Sequence, residues 1–239
     1  MTSLTDTERE RYHRQLIIPE LAEAGQEKLK RSHVLVVGAG GLGSPVLMYL
    51  AAAGAGTIGI VDPDKVETCN LQRQTLYTTM DIGLFKAEVA ARRLASLNPL
   101  INLLPYPVRF APANADDLLT GYDIVVDCSD NYPARYLLSD TTRRAGIPLV
   151  YGAVSQFMGQ ASVFNFRNGP SYRDLYPEAK DTASEKDRPE QGVIGALPGI
   201  IGSVQACEVI KIITGAGDIL SGKLLQIDAL NLRAEIFSI

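Results

Sequence analysis

Cysteine is scarce in this chain. Only Cys69, Cys128 and Cys207 occur in 239 residues, and no two lie close in sequence. That excludes a disulfide framework and a four-cysteine zinc site. Basic charge is also in short supply: 23 Lys and Arg stand against 27 Asp and Glu, for a net charge of −4. A nucleic-acid partner usually demands a basic face, so none is expected. Long uninterrupted apolar runs are missing as well. Residues 193–207 carry Pro198, three glycines and Gln205, and fall short of the ~20 residues that cross a bilayer. A buried helix is expected there and no membrane association. The opening fifteen residues, MTSLTDTERERYHRQ, are polar and charged, unlike a secretory signal. Together these absences point to a cytoplasmic protein. No internal repeat or low-complexity tract is present. At 46% hydrophobic residues, the chain has enough apolar material for a substantial core, and a single domain over 1–239 is expected.

The most informative segment is 33–62, HVLVVGAGGLGSPVLMYLAAAGAGTIGIVD. An apolar run breaks into Gly38-Ala39-Gly40-Gly41-Leu42-Gly43. An alanine-rich helical pattern follows, then a second apolar run ending on Asp62. Strand, glycine turn, helix, strand and terminal acid occur in the order that a nucleotide site requires. Glycines at 38, 40, 41 and 43 permit a sharp turn and close backbone approach, while the helix N-terminus offers free N–H groups to phosphate. Asp62, about 20 residues on, can accept hydrogen bonds from ribose hydroxyls.

Alternating patterns continue downstream. Strands are predicted near 33–38, 57–62, 102–107, 122–128 and 148–153, separated by helices near 42–54, 84–97, 114–120 and 131–145. This alternation implies an α/β, Rossmann-like, doubly wound and largely parallel sheet. Residues 160–166 read as a further strand, 199–214 as a long helix, and 223–228 and 232–237 as C-terminal antiparallel strands. Residues 1–30 form a helical N-terminal arm, and the polar, turn-rich stretch 168–191 reads as a mobile crossover loop.

The remaining polar residues decide what the nucleotide is for. After Asp62 comes Asp64, then Asn70-Leu71-x-Arg73-Gln74, an amide, a guanidinium and a second amide beside the nucleotide. Arg73 is suited to clamp phosphate oxygens bidentately. Lys86, at the start of a predicted helix, offers a second positive charge; the plainer reading makes it a surface lysine. The fourth strand ends in Asp127-Cys128-Ser129-Asp130-Asn131. Ligands in open parallel sheets bind beyond the carboxyl ends of the strands, so Asp130 would face the same crevice as the glycine loop. A carboxylate beside triphosphate is a natural magnesium ligand, and the alternative is that Asp130 caps the helix beginning near Asn131.

These features resemble the MoeB/ThiF group of ubiquitin-activating-enzyme-like adenylyltransferases. The resemblance rests on Arg11-Tyr12-His13-Arg14-Gln15, the GAGGLG loop, Asp62-x-Asp64-x-Val66, Asn70-Leu71-x-Arg73-Gln74, Gly83-x-x-Lys86 and Asp127-x-x-Asp130-Asn131. The run from Ala196 to Glu208 is similar to that group's later helix. The resemblance implies ATP-dependent adenylylation of the C-terminal Gly-Gly carboxylate of a small ubiquitin-fold sulfur carrier, with a separate sulfur donor forming the thiocarboxylate. It further implies that Asp62 holds the ribose, Arg73 and Lys86 the phosphates and Asp130 the magnesium, with Asn70, Gln74 and Asn131 lining the nucleotide. Arg14 is similar to an arginine that reaches into a neighbouring subunit's site, which implies a homodimer.

Two departures from the group's pattern stand out. Where members often carry Cys-x-x-Cys, this chain has Ser171 and Asp174, and no second pair precedes Ile239, so no structural zinc is expected. No cysteine occurs between Asn168 and Gln191, which argues against covalent transfer on that loop. Cys128 and Cys207 read as core thiols, and Cys69 as the one cysteine near the nucleotide. Two other functions use the same glycine loop or partner. A nicotinamide-dependent oxidoreductase needs neither Arg73, Lys86 nor Asp130, and a silent scaffold for a ubiquitin-fold partner needs no nucleotide residues. A tRNA-modifying dehydratase of the same fold fits the acidic balance less well. The pathway and carrier are not named by any motif.

Overall fold

The computed structural model describes residues 3–177 and 192–239. Eight strands form one sheet: β1 (His33–Val37), β2 (Thr57–Val61), β3 (Asn102–Tyr106), β4 (Ile124–Asp127), β5 (Leu149–Ser155), β6 (Met158–Phe164), β7 (Lys223–Asp228) and β8 (Arg233–Ser238). Their order is β3-β2-β1-β4-β5-β6-β7-β8. The first five run parallel, and β5 to β8 pair antiparallel. This is the predicted mixed sheet.

Strand alternation sends side chains to two separate cores. On one face Val34, Val36, Ile58, Ile60, Ile124 and Val126 pack against α4 (Gly43–Ala53), α5 (Lys86–Leu97) and α9 (Ala196–Thr214). On the other, Leu35, Val37, Val61 and Val125 pack against α6 (Ala115–Leu119), α7 (Tyr132–Ala145) and α8 (Tyr172–Leu175). Both faces of the parallel strands are covered, which is why those strands read as continuous apolar runs. Chain order reverses between β1 and β4, since the connections from these two strands lead to opposite ends of the sheet. A crevice opens at that switch point.

The N-terminal arm is three helices, α1 (Asp6–Arg11), α2 (His13–Leu16) and α3 (Ala22–Arg31), and they are packed onto the body. Leu4, Tyr12 and Leu29 are buried. Asn98 Nδ2 donates to the Tyr12 hydroxyl (2.8 Å), and Gln15 Nε2 donates to Ala53 O (3.1 Å). Helix α9 starts at Ala196, three residues before the predicted 199, because Pro198 lies in the first turn, where no intrahelical N–H is needed. Strands β5 and β6 join through Gln156 and Phe157, with Gln156 at φ 53°, so the hairpin is tighter than the predicted gap between 153 and 160. Of the stretch 168–191, Tyr172–Leu175 is helical. The rest of that expectation, from 178 to 191, lies outside the described residues.

Candidate active site

The crevice is a cleft of about 1120 Å³, bounded by the tips of β1, β2, β4 and β5. Drug-sized ligand sites occupy roughly 300–1,000 Å³, so it can hold a nucleotide with the end of a second substrate. The glycine loop forms its floor. Gly38 has φ +98°, and a Cβ there would lie 2.4 Å from Cys128 O; a Cβ on Gly43 would lie 2.1 Å from Gly38 O. Only glycine lets the loop fold against β4 and against itself. Helix α4 then begins with no side-chain cap; Ser44 N–H donates back to Gly40 O (2.9 Å) and Pro45 has no N–H, so the N–H groups left for an anion are those of the loop that ends at Gly43.

Asp62 is 5% exposed and braces this loop. Ala39 N–H donates to its Oδ2 (2.7 Å), and Asp64 N–H to its Oδ1 (2.8 Å). Burial pushes its carboxyl above the usual range, and the two N–H groups and Lys86 oppose that rise. Lys86 is 5% exposed, inside the cleft wall, with Nζ 3.2 Å from Asp64 Oδ2. The surface-lysine reading therefore fails. Arg73 and Gln74 also line the cleft. Arg73 Nη1 donates to Cys69 O (3.2 Å). Gln74 is buried, and its Oε1 lacks a hydrogen-bond partner.

Across the cleft, Asn131 is the N-cap of α7: its side chain accepts from Ala134 N–H (2.9 Å). The cap is Asn131, not Asp130. Asp130 lies exposed on the wall and accepts one 3.3 Å bond from Asn131 Nδ2. Among the described residues no cluster of three or more His, Cys, Asp or Glu could chelate a metal. A single exposed carboxylate suits magnesium, which takes one or two carboxylates together with phosphate oxygens and water.

Three predicted positions fall elsewhere. Gly43 sits behind the lining, in the first turn of α4. Asn70 is buried outside the cleft and closes a 3-10 turn, its Oδ1 accepting from Glu67 N–H (3.3 Å). Arg14 is exposed on a separate surface depression that it shares with Arg11, Tyr49, Ser203 and Cys207. Cys207 is therefore not a core thiol: α9 turns this residue outward, and it is exposed. Cys128 is buried, and burial raises its thiol pKa, which disfavours the thiolate. Cys69 is exposed beside the Arg73 turn.

Two residues at the site, Tyr77 behind the glycine loop and Arg135 on the cleft wall, carry no sequence signal of their own. Tyr77 is buried with its hydroxyl donating to Ala39 O (2.7 Å), which ties the loop to the segment after β2. Arg135 lies near Tyr132 and Tyr151, with its guanidinium 5.5 and 5.7 Å from their ring centroids. Only the fold brings Tyr77 to the loop and Arg135 to the cleft.

Comparison with known proteins agrees with this arrangement. The chain is 50% identical over 231 residues to the sulfur carrier protein adenylyltransferase of Thermus thermophilus, covering 95% of this chain and 85% of that protein. It is 45% identical over 233 residues to the SAMP-activating enzyme E1 of Haloferax volcanii, covering 98% and 86%. It is 46% identical to the probable molybdopterin-synthase adenylyltransferase of Porphyra purpurea, covering 96% of this chain and 60% of that one. Among solved structures, E. coli MccB superposes with TM-score 0.87 at 23% identity over 98% of this chain and 71% of its own, a likeness of fold. Residues 12–239 match the ThiF family, and the chain belongs to it.

Proposed function

We propose that this protein uses ATP to adenylylate the C-terminal Gly-Gly carboxylate of a small ubiquitin-fold sulfur carrier, preparing it for thiocarboxylate formation by a separate sulfur donor. The observation that carries this reading is the convergence, in one cleft, of a glycine loop, an uncapped helix N-terminus, two cations (Arg73 and Lys86) and the exposed Asp130 carboxylate. The names of the similar proteins support the reading.

The reaction follows from these groups. The carrier carboxylate attacks the α-phosphorus of ATP, an O–P bond forms, and the bond to the departing pyrophosphate breaks. No proton has to be removed from the nucleophile, so the site needs charge neutralisation and positioning more than a general base. The glycine loop holds phosphate through backbone N–H groups, while Arg73 and Lys86 face the developing charge. Asp62 holds the loop, and its remaining lone pairs reach the ribose. Asp130 would hold magnesium, which supplies further charge neutralisation when bound.

The enzyme works as a homodimer in this reading, with Arg14 serving the partner's site, because Arg14 lies outside its own cleft. Structural zinc is not required, since Ser171 and Asp174 are engaged with each other. The sulfur donor is separate from this chain, and the cytoplasm, with its ATP, is the compartment.

Carrier-dependent exchange of pyrophosphate into ATP tests the reaction. Arg73→Ala and Lys86→Ala are each expected to lower the exchange rate by roughly 10²–10³-fold, the usual cost of losing one preorganised charge donor. Exchange at the wild-type rate in either variant would overturn its assigned role. Thermal stabilisation by NAD instead of ATP–magnesium would revive the oxidoreductase alternative, and stable carrier binding without any exchange would favour the scaffold.

A further inference from the structure

The cleft holds a third cation that the phosphate chemistry leaves unused. Arg135 stands in the first turns of α7, on the β4–β5 side, whereas Arg73 and Lys86 belong to the segments that follow β2. Its Nη2 donates to Ser129 O (3.3 Å), and the guanidinium also meets the Tyr172 hydroxyl. Its Nε–H is shut off from solvent with no hydrogen-bond partner. Asp127, fully buried nearby, spends Oδ1 on the Ser129 N–H (2.9 Å) and hydroxyl (2.6 Å), and its Oδ2 has no hydrogen-bond partner. Among the described residues, no carboxylate forms an ion pair with Arg135.

A half-buried guanidinium that feels the Asp127 charge but makes no ion pair with it still bears a desolvation cost that an arriving anion would relieve. The rings of Tyr132 and Tyr151 hold it by cation–π contact, away from the phosphate cations. We propose that Arg135 receives the terminal carboxylate of the carrier's Gly-Gly tail and presents it to the α-phosphorus. This rests on the adenylyltransferase reading above and assigns its second substrate a binding residue.

The chemistry requires such a group. In-line displacement needs the nucleophile on the side of the α-phosphorus opposite the leaving pyrophosphate. The loop, Arg73 and Lys86 gather the phosphates on one side, and the carboxylate has to approach a polyanion from the other. A guanidinium there offsets the repulsion and orients the carboxylate through directed N–H bonds. As the O–P bond forms, the carboxylate loses its charge and pyrophosphate carries it away. Arg135 gives up no proton, so it is a positioning residue.

The test uses a ubiquitin-fold carrier ending in Gly-Gly, prepared as the free acid and as the C-terminal amide, with wild type, Arg135→Gln and Arg135→Lys. Wild type should bind the acid about tenfold tighter than the amide, the scale of one charge-assisted bidentate contact. Arg135→Gln should lose that preference and raise the carrier KM by a similar factor while its ATP affinity stays unchanged, and Arg135→Lys should recover part of the preference. A purely structural arginine would not make the acid and the amide equivalent. Equal wild-type affinity for the two forms overturns the assignment, as does a full preference for the acid in either folded variant. Failure of both forms to bind wild type would instead overturn the adenylyltransferase reading itself.

Discussion

Gly40 and Gly43 lie three residues apart in one loop, yet a methyl group on each would meet different surroundings. At Gly43 it would lie 2.1 Å from Gly38 O, a backbone atom with nowhere to go. At Gly40 its nearest neighbour would be Gln74 Nε2 at 3.4 Å, ordinary contact with a side chain. Gly43→Ala should therefore cost about 1–3 kcal/mol of stability by overpacking, read as a lower melting temperature. Gly40→Ala should melt within about 0.5 kcal/mol of wild type, as a substitution without a buried clash does. It should nevertheless bind ATP more weakly by calorimetry, because its methyl group projects where the phosphates approach the backbone. Unchanged ATP affinity in Gly40→Ala would move the phosphates away from this loop. The glycines themselves are legible in sequence, but which is required by the protein and which by the ligand depends on what lies within a few ångströms.

Helix α8 contains Asp174 and follows Ser171, and here side-chain hydrogen bonds do the anchoring. The Ser171 hydroxyl and N–H both donate to Asp174 Oδ2 at 2.7 Å, a capping box that closes the first turn. Arg173 donates through Nε and Nη2 to the two oxygens of Asp140 on α7, each at 2.7 Å. Tyr172 is buried among Tyr136, Tyr151, Phe164 and Tyr176. The Arg173 bonds hold the Asp140 carboxyl below its usual pKa, against the opposing effect of burial. The folded pKa is thus lower than the unfolded one, and the pair's contribution is present above pH ~4 and lost as pH falls through the depressed value. Asp140→Asn should cost about 1 kcal/mol at pH 7, the upper end for a partly exposed pair, and the difference from wild type should shrink as pH falls below ~4 in denaturant titrations. A constant difference across that range would show that packing, not charge, accounts for the loss. Helix α7 itself was readable from the sequence as a helical stretch over 131–145, which the structure places at Tyr132–Ala145. The α7–α8 brace was not, because its partners stand 33 residues apart and a charge pair has no local pattern.

The whole molecule is two apolar cores on either face of one sheet, and its cleft and arm address different surfaces. Arg14 shares its depression with Tyr49 of α4 and with Ser203 and Cys207 of α9, remote in chain order from the cations it is expected to assist. If Arg14 completes a partner's site, Arg14→Ala mixed with Lys86→Ala should regain activity. Random pairing makes about half the dimers mixed, and each of these holds one intact site, which gives roughly one quarter of the wild-type exchange rate when each charge is essential. No rescue in a mixture shown to exchange subunits would place Arg14 in its own site or outside function. Sedimentation at the assay concentration supplies the oligomeric state independently.

The sequence by itself determined the alternating α/β order, the parallel strands, the glycine loop and the acid that follows it. Each of these is a local pattern: apolar runs, helical periodicity, and residues that only a turn tolerates. Lys86 and Asp130 were also nameable, since they follow elements whose ends the pattern locates. The tertiary structure alone decided that Lys86 is buried beside Asp64, that Asn131 rather than Asp130 caps α7, that Asn70 closes a turn outside the cleft and that Cys207 faces outward. It also brought Arg135 to the cleft wall opposite Arg73. Burial and charge pairing depend on which distant segments the sheet order sets side by side, and the crossing at β1 and β4 is a property of the chain's path through space, not of any window along it.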